Sequence, residues 1–273
     1  MQELYVHIKL KEKKDRGRHN FLIMEIALQR IQQCENGILD LSCLNLTELP
    51  PLPEGLIQLY CNQNQLTALP PLPEGLLILR CSSNQLTTLP DLPSSLQEFS
   101  CTSNQLTSLP LLPSSLIWIG CMFNRLTTLP PLPSSLTMIL SDYNQFTELP
   151  ELPPYLTYLS CCYNQLTILP SLPYGLQKLY CSNNPLETLP ELPSTLVGLA
   201  CVLPYNNELY IFNEMTPDIV QHLNDENQTW MEFHSKERCM KRCSSYYEEL
   251  MCMRWHPDRI IHLYHMGYKP EDM

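Results

Sequence analysis

Thirteen cysteines are the most conspicuous residues with reactive side chains, and their spacing decides how they are read. Cys61, Cys81, Cys101, Cys121, Cys161, Cys181 and Cys201 recur at steps of 20 residues, with Ser141 at the one missing step. Such a column of thiolates suits a soft metal or redox chemistry, whereas thiols buried among apolar groups are inert small hydrophobes. The flanking alternation of side chains turns the column inward, so the inert reading is the expectation. In the tail, Cys239-x3-Cys243 and Cys252-x3-His256 place two potential ligand pairs at helical spacing. A tetrahedral zinc site across two helices would need that, but the usual zinc spacing is absent and packing residues are expected. No phosphate-binding loop, paired-carboxylate site or Ser-His-Asp arrangement stands in a supporting context. No catalytic residue, metal, cofactor or small-molecule substrate is therefore assigned, and the chain is not expected to be an enzyme.

A second group of residues suits binding rather than reaction. Trp118, Met122 and Phe123, then Met138, Leu140 and Tyr143, then Tyr158 and Tyr163, fall at the same few places in three successive segments of 20 residues. Earlier segments carry polar groups there: Gln58, Tyr60, Asn62 and Gln63, then Ile78, Arg80, Ser82 and Ser83. Clustered aromatic and thioether side chains anchor protein interfaces. They also stack on one another, or lie beneath the chain's own tail, without any partner.

The elements that position these residues follow from the repeat. From Leu56 to Thr195 the chain repeats every 20 residues as L-x-x-L-x-C-x-x-N-x-L-T-x-L-P-x-L-P-x-x, without insertion or deletion. A period this short marks a solenoid, in which each unit buries its apolar edge only against its neighbours. Segments such as Leu59-Tyr60-Cys61 alternate inward and outward and predict one short parallel strand per unit. Leucines at the first, fourth, eleventh, fourteenth and seventeenth positions predict the core. Asn64, Asn84, Asn104, Asn124, Asn144, Asn164 and Asn184 form a column whose amides can satisfy the turn after each strand. The L-P-x-L-P tract fixes φ and removes amide donors, so the return limb is expected to be extended and polyproline-like.

Three regions result. Residues 1–37 are expected to form an N-terminal helical cap, with Asn20 at the helix start and Gly37 as a left-handed stop. Residues 38–213 hold an array of about nine units, the first and last degenerate; Pro204 replaces the ladder asparagine at the far end. Residues 214–273 are read as a C-terminal helical cap or small accessory module, with a helix opening at Thr216-Pro217 and another at Pro257.

The motif N-x-L-T-x-L-P-x-L-P-x-x-L-x-x-L closely resembles the short bacterial leucine-rich repeat of type III secreted effectors of Yersinia, Shigella and Salmonella. Similar Cys-rich arrays occur in proteins of giant DNA viruses. The resemblance implies a leucine-rich repeat solenoid with strands on its concave face, and a role in virulence or host-pathogen interaction. Some of those effectors are ubiquitin ligases with a Cys-x-Asp nucleophile; this chain has no Cys-x-Asp, so that activity is not carried over.

Charge narrows the partner class. The chain carries a formal net charge of -11, and from Leu46 to Ser194 ten acidic residues face three basic ones, Arg80, Arg125 and Lys178. An acidic array argues against a nucleic-acid or anionic-membrane face. The basic run Lys9, Lys11, Lys13, Lys14, Arg16 and Arg18 is read as a solvated charge run. With no apolar span long enough for a membrane and no secretory leader pattern, a cytoplasmic protein is expected, in the host cytoplasm if it is a viral or secreted effector. The function expected is a module binding an unidentified protein on its concave face. The alternative is an adaptor that selects a substrate and recruits a ubiquitin ligase through its C-terminal helices.

Overall fold

The computed structural model describes residues 23–34, 36–202, 209–212 and 215–233. Within them the 20-residue period becomes a stack of parallel strands: β1 (Ile38–Asp40), β2 (Gln58–Tyr60), β3 (Ile78–Arg80), β4 (Glu98–Ser100), β5 (Trp118–Gly120), β6 (Met138–Leu140), β7 (Tyr158–Ser160), β8 (Lys178–Tyr180) and β9 (Gly198–Val202). Each pairs with the next in a register of one repeat, as in Leu39 with Leu59 and Leu59 with Leu79. The register is forced. A slip by one residue would turn the buried central side chain of every strand to the other face.

Two turn devices make so short a strand repeatable. The residue three places after each of β2 to β8 is left-handed although it is never glycine, with φ between 53° and 57° at Gln63, Ser83, Ser103, Phe123, Tyr143, Tyr163 and Asn183. That conformation costs about 1–2 kcal/mol for an L-residue. The ladder asparagine that follows offsets it. Asn84 Nδ2 donates to Cys81 O and Ser82 O in its own unit and to Cys61 O in the unit before, while its Oδ1 accepts Leu66 N. The column thus serves the turn, as expected, and also staples each unit to its predecessor.

The first and eleventh-position side chains, together with each central strand residue, form one continuous buried core. The cysteine column lies within it, fully or almost fully buried, and all described cysteines are free thiols. Ser141 fits the column because its Oγ donates to Ser160 O at 2.9 Å, the equivalent of the carbonyl that Cys81 Sγ reaches at Ser100. Between strands the return limb contains no regular helix, consistent with its proline content.

The array's ends differ from its middle. Residues 23–32 form helix α1, whose Ala27 is buried and whose Ile23 and Ile31 pack on the core. Arg30 Nη1 donates to Asp40 O at 2.8 Å, tying the helix to β1. The expected start at Asn20 lies outside the described residues. Gly37 is left-handed, φ 69°, but stands beyond the end of α1 and follows another left-handed residue, Asn36. Its backbone meets the next unit so closely that a Cβ would lie 2.7 Å from Gly55 O.

At the far end β9 continues into an antiparallel partner, β10 (Leu209–Phe212), which pairs Tyr210 with Cys201. This strand was not anticipated, because Pro204 marks only where the repeat fails. Met215 N then donates to Val197 O at 2.9 Å, repeating the bond that Leu77 N makes to Ile57 O. Helix α2 (Pro217–Phe233) starts as expected after Thr216, whose Oγ1 accepts Ile219 N. Met215, Val220 and Leu223 are buried against the core, and Asn224 takes both Leu192 N and Leu192 O. The helix expected from Pro257 lies outside the described residues.

Candidate protein-interaction face

The outward side chains of the strands and of the turns beyond them form one face of the sheet. The structure sorts six of the eight residues expected there into two rows of three. Trp118, Met138 and Tyr158 open β5, β6 and β7 and are direct cross-strand partners. Phe123, Tyr143 and Tyr163 hold the left-handed turn position, and their rings stack. The Phe123 and Tyr143 centroids are 4.3 Å apart with planes 11° from parallel, and those of Tyr143 and Tyr163 are 4.2 Å apart at 9°. Leu140, at the end of β6, and Met122, before the turn, lie between the rows and are half-buried.

Each row is held in place. The indole of Trp118 lies over Gly120: a Cβ there would come within 3.1 Å of its Cη2 and Cζ2. Arg80 stands 5.0 Å from the same ring and pairs with Glu98 at 2.7 Å. Tyr158 meets Tyr180 edge-on at 5.5 Å and has Lys178 Nζ at 5.9 Å. Arg80 was expected at its place on the face, whereas Glu98, Gly120, Lys178 and Tyr180 also belong to it although sequence reasoning did not select them. Their signal was available, since Tyr180 repeats the position of Leu140 and Gly120 is the one glycine there.

In the turn row, burial and then a hydrogen bond with Tyr163 push the Tyr143 phenol above its usual range. The stack realises the reading in which the aromatics pack on one another. It does not consume the row, since Phe123 retains 38% exposure and Tyr143 and Tyr163 are half-buried.

At the position just before the turn, three side chains depart from the expected outward display. They bend back and accept the next unit's amide: Ser42 Oγ takes Asn62 N, Asn62 Oδ1 takes Ser82 N, and Asp142 Oδ1 takes Cys162 N. Asp142 is buried, and Ser160 Oγ donates to the same oxygen at 2.6 Å. Burial pushes its carboxyl up to about 6.

The column thiols are similarly displaced by burial, Cys61 and Cys121 to about 12, which leaves almost no thiolate at neutral pH. Among the described residues no cluster of three or more His, Cys, Asp and Glu is disposed to hold a metal, and no helix is long and apolar enough to cross a membrane. Cys239, Cys243, Cys252 and His256 lie outside the described residues.

The fold is similar to that of solved structures. YopM, a leucine-rich effector protein from Yersinia pestis, superposes with a TM-score of 0.62 at 41% identity, covering 63% of this chain and 52% of YopM. A Shigella effector leucine-rich repeat domain superposes at 0.54 and 34% identity, covering 60% of this chain and 77% of that domain. The chain belongs to the leucine-rich repeat family. Within that family it has the short bacterial-type repeat of these effectors, and its likeness spans about half the length of YopM. No protein-family model matches the chain, and no curated protein does.

Proposed function

We propose that this leucine-rich repeat protein is a non-enzymatic interaction module that binds an intracellular host protein on its concave face. The anchors are Trp118, Met122, Phe123, Met138, Leu140, Tyr143, Tyr158 and Tyr163. The observation that carries this reading is the pair of aligned rows over three adjacent units, Trp118–Met138–Tyr158 and Phe123–Tyr143–Tyr163, on one rigid sheet. Side chains pre-set by Gly120, Arg80 and ring stacking lose little rotamer freedom on binding, which removes one of the costs that anchors must offset. The effector relatives support a host protein as partner and the host cytoplasm as the place of action.

The experiment compares capture of host-cell proteins by the parent with capture by a Trp118→Ala, Phe123→Ala, Tyr143→Ala variant. Each anchor contributes about 2 kcal/mol or more if it is a hot spot, so the triple variant should lose capture while keeping the parent's circular dichroism. Truncations at Gln58, Ser82 and Thr102 should change little. A folded triple variant that captures the same proteins as the parent would move the interface off this face.

A further inference from the structure

A carboxylate in the middle of a stacked array is an odd choice for an amide acceptor, and its surroundings give that choice a consequence. Asp142 lies between the units of β6 and β7, where its Oδ1 accepts Ser160 Oγ and Cys162 N, both at 2.6 Å. The equivalent bond four units nearer the N-terminus is made by a neutral side chain, Asn62. The titratable groups that face Asp142 are the thiols of Cys121 in the unit before, Cys161 and Cys162 in the unit after, and the phenol of Tyr143 beside it. None is cationic, and Ser182 Oγ, in the same row, is buried without a partner. These two donated hydrogen bonds, with the Cys162 thiol as a further donor beside them, are the carboxylate's compensation for lost water, and an uncompensated buried charge is costly.

We propose that Asp142 is a proton-operated clamp: taking up one proton from solvent on mild acidification removes the buried charge and strengthens the junction between the β6 and β7 units. The protonated acid still offers a carbonyl oxygen to Ser160 and Cys162, so the geometry needs no rearrangement. The direction follows from linkage. The folded carboxyl holds its proton up to about pH 6, whereas an unfolded aspartate releases it near 3.8. The folded state therefore binds the extra proton between those values, and stability present below the lower one is lost as pH rises through the upper one.

The proposal is independent of any binding partner and is tested on the full chain. Urea unfolding of the parent and of Asp142→Asn is measured at pH 7 and pH 5, and the Asp142 carboxyl carbon is followed by NMR in the parent, assigned through its own backbone. Relative to the variant, the parent's unfolding constant should fall about tenfold between pH 7 and pH 5. The carboxyl carbon should titrate close to pH 6. Exposed carboxylates titrate alike in both proteins and cancel in the comparison. A ratio that stays constant between the two pH values overturns the proposal. So does a carboxyl that titrates near pH 4, a result the parent alone supplies should the variant not fold.

Discussion

Each ladder asparagine reaches groups that no apolar side chain could satisfy. Asn124 donates to Cys101 O, Cys121 O and Met122 O and accepts Leu106 N, so one amide closes a turn and joins two units. An unpaired buried amide or carbonyl costs about 1–3 kcal/mol, which explains why this position does not vary from Asn64 to Asn184 while its neighbours do. The cysteine column obeys the opposite logic, because its thiols are wanted for volume and not for reactivity. Cys81, Cys101, Cys121, Cys161, Cys181 and Cys201 should resist alkylation at pH 8 in the native chain and react once urea is added. Exposed Cys43 should label at once. Peptide-resolved mass spectrometry reads both, and rapid native labelling of Cys101 would contradict its burial.

At the scale of elements, the three-residue strands have too few ladder bonds to stand alone, and their neighbours supply the rest. Bonds on either side of each strand extend the ladder, as Cys61 N to Arg80 O and Leu77 N to Ile57 O show. The junction of α1 with the first strand depends on one backbone. Gly37 O accepts Ile57 N and Gln58 N while the residue is left-handed, and a Cβ added to it would lie 2.7 Å from Gly55 O. Gly37→Ala should lower stability by more than about 1 kcal/mol, since strain and backbone collision act together. Urea unfolding checks this, and an unchanged midpoint would show that the α1 junction yields without cost.

Across the whole molecule, stability is close to a sum of units and interfaces, so the exposed ends govern solubility and the onset of unfolding. β10, Met215 and α2 act as a substitute for the next repeat: a strand on β9, an amide on Val197 O, apolar side chains over the core and Asn224 on Leu192. Removing residues 214–273 should therefore bare the core around Leu192, Leu196 and Leu199, lower the Tm and promote self-association. Calorimetry with size-exclusion chromatography reads the outcome. A truncated array that stays monomeric and melts unchanged would identify those residues as an independent module and favour the adaptor reading.

Residues that recur at a fixed step must occupy equivalent places, so the leucine, cysteine and asparagine columns, the parallel strands and the helix-free return limb were all legible before any coordinates. That Trp118, Phe123 and Tyr143 fall on adjacent units was legible for the same reason. What the period could not decide is anything that happens once, or that depends on where a side chain turns after it leaves the strand. β10 reverses direction through contacts made only after the repeat has ended. Phe123, Tyr143 and Tyr163 became a stack because a left-handed turn aims all three rings the same way. Asp142, expected to face outward, bends onto the neighbouring unit's amide and is buried there. Columns follow from backbone geometry, which repetition transmits through the sequence; stacking, burial and the shifted carboxyl follow from through-space neighbours 20 residues away, which only the wound chain brings together.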